Sequence, residues 1–520
     1  MTIPFTGTST TLARDSNQAL GIGEFAINFM NGSIGEPDEA VLNRTVMFFT
    51  DSVICGISAI ALATNAPTVL RNEALEYERP DGVPIFGSAK RVALEKAIVA
   101  NCAAVREWDA NGTNFGYNPK LGHTAGEFGH NDFYPVAIAA AQLAGKDGGY
   151  ALRGMVLLDE IRGRLAEVFS LKSYRIDHVV HGAIASTATY GAMLGATPQQ
   201  IESAIGMVVA HYIPWRAIRS GSQLSDSKGA SAAISTEVAV LTMQRTMRGF
   251  VGPADIFRNP EAIWRQFEPT NGDSPFDLVL THSGGDFAVM GMHFKLGLYE
   301  HQSAGALQGL FDLLVQHPRL LEGPQKIASI KIIAYEPAFG IIGDPAKRDP
   351  QTRQSADHSM VFIIATTLRK AIERAKRASR GGINYTTDEY WKALMLSPFD
   401  YAEQAIFDHS TRLLMEKISF AHGGPQYDAK YPDGIPTSLI ITTTDGQIYD
   451  SGLVMYPAGH ARNTTANLAE LLGAKWQMLG SLAVNDPDSI INRFNNLPKL
   501  SADKLQALYD FEILARDRLT

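Results

Sequence analysis

One stretch limits the possible folds more than any other. His181-Gly-Ala-Ile-Ala-Ser-Thr-Ala-Thr-Tyr-Gly-Ala-Met-Leu194 carries small residues on every face. Small side chains let helix backbones approach closely, so the segment predicts a helix buried in a bundle. Further helix-forming runs occur at 39–63, 89–104, 134–144, 151–169, 198–211 and 229–248. Thr197-Pro198 marks one helix start, with Thr at the N-cap and Pro in the first turn. Near residue 290 the pattern changes. Residues 326–335 are β-branched with partial alternation and read as a strand. Residues 438–444 and 447–456 flank Asp445-Gly446, a hairpin signal. Helical runs at 359–378 and 402–415 lie between these strands, and helical character returns from Thr464 onward. The expected architecture is mostly α with an α+β part. A helical domain over 18–289 resumes at 459–520, and an α+β domain occupies 290–458.

Composition narrows the function. The 520 residues are 45% apolar and 19% charged, enough apolar material for a large core. The net charge of −8 lacks the footprint of a general nucleic-acid binder. Cys55 and Cys102 are the only cysteines, too few for an iron–sulfur cluster or a cysteine-rich zinc site. Their usage fits a reducing cytosol. The first residues show no basic segment followed by an apolar run, so no secretory signal is expected, and order is expected to begin about Gln18. Residues 52–70 form the longest apolar candidate. Thr64, Asn65 and Pro67 interrupt it, and it reads as a buried helix over 44–63 followed by a turn, not as a membrane span.

Three stretches set ionisable groups among Gly and apolar residues. The first runs from Arg106-Glu-Trp-Asp109 and Thr113 through His123 to Phe128-Gly-His130-Asn-Asp132. It is a polar loop between two apolar helices, of a length often tied to function. Asp109 and Thr113 are four apart and would share a face if the preceding helix continued. The second is Ser225-Asp-Ser-Lys228-Gly, where a lysine and the amides of a helix start would suit a carboxylate. The third is His293-Phe-Lys295-Leu-Gly-Leu-Tyr-Glu300-His301, with Asp357-His358 further on. No His-Glu-x-x-His, no P-loop, no Gly-x-Gly-x-x-Gly after a strand and no Gly-x-Ser-x-Gly is present. Each polar stretch alone also fits an ordinary cap, surface or core role.

In their order and spacing these segments resemble the MmgE/PrpD family, over about residues 26–500. Trp108-Asp109-x-x-x-Thr113, Phe128-Gly-His130, Asp177-His178-Val and Ser227-Lys228-Gly carry the resemblance. So do Phe294-Lys295, Asp357-His358-Ser359 and Tyr456-Pro-Ala-Gly-His460-Ala-Arg462. The sequence departs from the dehydratase pattern in Asn131-Asp132, where Pro-Ser is usual, and in a longer 114–127 loop with an extra His123. Arg175-Ile-Asp177 stands where decarboxylases of the family have a His-Pro pair.

The resemblance implies a cleft between a helical domain and an α+β lid, a small polycarboxylate as substrate, no cofactor and a cytoplasmic homodimer. It implies catalytic roles for His130, Asp109, His178, Lys228 and Lys295. Thr113, His123, Tyr335, His358 and Arg462 are expected to contact substrate, and no metal ligands are assigned. His130 would be the main acid/base and Asp109 its partner or a second proton carrier. The two lysines would clamp carboxylates, their mutual repulsion drawing an anion between them. The leading reaction is dehydration of a citrate-like acid. Decarboxylation and epimerisation are alternatives through the same carbanion-like species, and a non-catalytic helical binding protein is the competing class.

Overall fold

A computed structural model describes residues 7–219, 223–343, 347–378 and 384–519. It is mostly helical with small sheets. The Ala-rich segment forms the Val179–Met193 helix and is buried along nearly its whole length. A Cβ on Gly182 would sit 1.9 Å from Cζ of Phe133, which is why a glycine stands there. This helix packs against Gly148–Val168, Pro198–His211 and Ser227–Met247, and Leu94–Arg106 packs on Ser227–Met247 as well. Thr197 caps its helix with a full capping box, Thr197 and Gln200 bonding each other's backbones.

Glu39–Ala61 is the one helix among the described residues long and apolar enough to cross a membrane. It lies inside the fold, with 83% of its most apolar window buried. The turn expected after it forms at Leu62–Ala63, with Ala63 at φ +48°, and a further helix, Asn65–Leu75, follows at once, with Thr64 before it and Pro67 in its first turn. Gln18–Met30 is a further helix that the sequence reading did not anticipate. Order also begins earlier than expected. Ser9–Leu12 is a strand paired antiparallel with Leu278–Thr281, so the chain is anchored before Gln18.

The main sheet has four strands in the order Ile448–Asp450, Thr437–Thr443, Ile327–Ala334, Ile418–His422. The first three run antiparallel, and Ile418–His422 joins parallel, with Ile330 opposite both Ile441 and Ile418. The incomplete alternation of 327–334 has a cause: the register shifts between Ile327 and Ser329. Gly446 takes φ +84° at the hairpin, a conformation that favours glycine. Beyond the sheet, Leu468–Ala483 and Pro487–Asn495 both pack on Glu39–Ala61, so the end of the chain lies against its beginning.

Candidate active site

The site starts where the Leu94–Arg106 helix stops. Asp109 adopts φ +51°, a left-handed backbone uncommon for a residue with a Cβ. Two buried ammonium groups hold the strained turn. Lys295 Nζ donates to the Asp109 carbonyl at 2.6 Å, and Lys475 Nζ donates to the Ala110 carbonyl at 2.6 Å. The helical continuation that would have set Asp109 and Thr113 on one face does not form. Thr113–Asn114 pairs instead with Gly129–His130, with Thr113 directly opposite His130. Thr113 also exchanges backbone hydrogen bonds with His293. This short ladder closes the long polar loop and brings His130 beside the Asp109 turn.

Asp109 is the electrostatic centre. Lys295 Nζ lies 2.5 Å and Arg106 Nη1 2.7 Å from Oδ1, while His358 Nε2 lies 3.2 Å and Lys228 Nζ 3.7 Å from Oδ2. Burial works against this charge, but Arg106, Lys295, Lys228 and His358 outweigh it and hold the carboxyl well below the usual range. Lys228 also donates to Asp357 Oδ1 at 2.8 Å. The two lysines therefore converge, as the clamp requires. They do not face each other as naked charges, because Asp109 sits between them. The expected repulsion is compensated within the protein.

Two imidazoles complete the centre. The His130 and His178 rings lie 5.1 Å apart. Burial, with Arg106 and Lys295 nearby, pulls His130 well below its ordinary pKa, and its Nδ1 is buried with no partner among the described residues. Burial also lowers His178, and Arg219 Nη2 lies 3.3 Å from its Nε2. Both rings are therefore neutral near pH 7.

These groups line a cavity of about 650 Å³. It gathers Asp109, Thr113, His130, His178, Lys228, Lys295 and His358, seven of the ten residues expected to contribute. Three expected residues lie elsewhere. His123 Nδ1 contacts Glu167 at 3.1 Å and lines a depression with Arg14 and Asp277. Tyr335 is buried and stacked on Tyr431 at 4.7 Å. Arg462 ion-pairs with Asp433 and lies over the Tyr117 ring, in a neighbouring cavity. Sequence reasoning placed Arg106, Glu300 and His301 in its polar stretches without giving them a role, and it missed Arg216, Arg219 and Lys347; all six line the cavity. Glu300 and His301 follow Lys295 within six positions, a usable signal; Arg216 and Arg219 stand outside any periodic pattern. No group of three or more His, Cys, Asp or Glu among the described residues is arranged to hold a metal ion.

The arrangement defines a class: a mostly helical protein with a buried, cation-rich cleft carrying neutral imidazoles. Residues 24–274 match the MmgE/PrpD N-terminal domain. The 2-methylcitrate dehydratase of Escherichia coli (strain K12) is 23% identical over 403 residues, 76% of this chain and 77% of that protein. The mitochondrial 2-methylcitrate dehydratase of Yarrowia lipolytica is 26% identical over 323 residues, 62% of this chain and 57% of that protein. The alkylcitrate dehydratase phiI of a fungal species is 25% identical over 451 residues, 82% and 81% of the two chains. The segment 24–274 belongs to the MmgE/PrpD family.

Proposed function

We propose that this protein is a hydro-lyase that dehydrates a citrate-like di- or tricarboxylic acid without a cofactor. One observation carries the reading: a neutral His130 faces a cavity ringed by Arg106, Arg216, Arg219, Lys228, Lys295 and Lys347. A neutral imidazole accepts a proton, and cations stabilise the carbanion-like charge that its removal creates beside a carboxylate. Relatives named for 2-methylcitrate and alkylcitrate dehydration support the substrate class. An iron–sulfur Lewis acid does not fit the donor set, since Cys55 and Cys102 are the only thiols and both are buried away from the cavity. In this reading His130 is the base, Asp109 stays ionised and fixes the lysines, and Lys228, Lys295 and the arginines hold carboxylates.

The proposed organisation is a helical domain, 18–289 and 459–520, interrupted by an α+β lid at 290–458. The contact of Leu468–Ala483 with Glu39–Ala61 and the confinement of the main sheet to 327–450 support it. A cytoplasmic homodimer completes the reading. Its free thiols suit a reducing compartment, and sedimentation of the purified protein tests the dimer.

Product analysis with 2-methylcitrate, citrate and cis-aconitate tests the reaction. An unsaturated acid formed from a hydroxy acid supports a hydro-lyase. Carbon dioxide release identifies a decarboxylase, and inversion without elimination an epimerase. No turnover of these or related acids overturns the enzymatic reading.

A further inference from the structure

Dehydration requires a proton taken from carbon and a proton given to the departing oxygen. His130 and His178, both neutral, suit the first task and are poor at the second. Two carboxyl side chains line the cavity among the described residues, Asp109 and Glu300. Asp109 cannot carry the proton, because Lys295 and Arg106 occupy one oxygen and His358 the other. Lys228 and Lys295 are themselves committed to Asp357 and Asp109.

Glu300 is differently placed. Its Oε2 accepts one hydrogen bond, from the Gln302 backbone N–H at 2.9 Å. Its Oε1 makes no hydrogen bond or ion pair with the described residues, and the half-buried side chain borders the cavity. The backbone is fixed on both sides: Glu300 N–H donates to the Asp357 carbonyl at 2.9 Å, and Ser303 N–H to the Glu300 carbonyl at 3.0 Å. The charged and titratable groups around it are Lys295, Lys347, Asp109, Tyr299, Tyr335 and Tyr431.

We propose that Glu300 is the catalytic acid that protonates the leaving hydroxyl, an assignment that rests on the dehydratase reading above. His130 takes the hydrogen from the carbon beside a carboxylate, and that C–H electron pair becomes the carbon–carbon double bond as the C–O bond breaks. The departing oxygen takes the Glu300 proton and leaves as water. Solvent then reprotonates Glu300 and deprotonates His130. Burial supports the role, with the Asp109 charge adding to it: against Lys295 and Lys347 they push the carboxyl up to about 7, so it still carries a proton near neutral pH.

The test compares a hydroxy acid substrate with its analogue in which fluoride replaces the hydroxyl, since fluoride departs without a proton. Glu300→Gln should lower turnover of the hydroxy acid about 10²-fold or more. It should leave fluoride release near the wild-type rate and abolish the fall in kcat above about pH 7. His130→Ala should lose both eliminations. Glu300→Asp keeps a donor, so it should retain a measurable hydroxide-to-fluoride ratio and serves if the Gln variant does not fold. Wild-type dehydration by a folded Glu300→Gln protein overturns the assignment, as does equal loss of both leaving groups. Absence of any wild-type elimination instead overturns the dehydratase reading, and this proposal with it.

Discussion

His130 acquires its chemistry from position. A surface imidazole is partly protonated near pH 6.5, but this ring is half-buried beside Arg106 and Lys295, and its desolvation and those cations disfavour the charged form. As the proposed base, His130 would be active while neutral and lost only as pH falls through its depressed pKa. We expect the acid limb of kcat/KM to lie well below pH 6.5, and a limb at 6.5 or above would contradict the burial argument. Several site residues were legible because they interrupt apolar sequence with charge: Asp109, His130, Lys228 and Lys295 all stand between Gly and helix-forming runs. The others were decided by tertiary partners. His123 looked like part of the same loop, but Glu167, 44 positions on, holds it away. Tyr335 follows its strand as expected, yet its ring is taken up by Tyr431, and Arg462 by Asp433. Arg216 and Arg219 enter the cavity from a short 3-10 turn that has no sequence period of its own.

At the scale of elements, the Leu468–Ala483 helix does more than pack. Its Lys475, fully buried, donates to Asp51 at 2.8 Å and to the Ala110 carbonyl at 2.6 Å, one residue past the strained Asp109. Removing one partner of such a buried pair leaves an uncompensated charge, and Lys475→Met should destabilise the fold by about 3–5 kcal/mol. The double variant Asp51→Asn with Lys475→Met should recover much of that loss, as denaturant midpoints would reveal. Equal stability of the wild type and the single variant would remove the pair from the account. The Ala-rich helices were readable from composition alone. Gln18–Met30 was not, because Gly21 and Gly23 weaken its helical signal. Gly23 is there for packing, since a Cβ would meet the Pro198 carbonyl oxygen at 2.9 Å. Ile418–His422 lacks a β-branched run and becomes a strand through its parallel pairing with Ile330–Ala334. The helix expected over 402–415 divides in two because Asp408 caps a new start, accepting from Thr411 N–H at 2.7 Å.

Across the whole molecule, a chain of net charge −8 concentrates six cations around one cavity. Asp109, Asp177 and Asp357, paired with Lys295, Arg219 and Lys228, offset only part of that charge, so a small polyanion should bind there and stabilise the fold by mass action. A citrate-like tricarboxylate lacking the hydroxyl should raise Tm more than a monocarboxylate at equal concentration, with the difference shrinking as ionic strength increases. Equal shifts for both acids would mean that the cations do not act together. The central claim is that His130, in this cleft and without a metal, drives elimination from a citrate-like acid. The most direct measurement follows the unsaturated product from 2-methylcitrate or a longer 2-alkylcitrate, comparing chelator-treated wild type with a folded His130→Ala variant. We expect chelation to leave the rate unchanged and His130→Ala to lower it about 10²-fold or more. An unaltered rate in the variant, or loss on chelation that a divalent ion restores, would contradict the account.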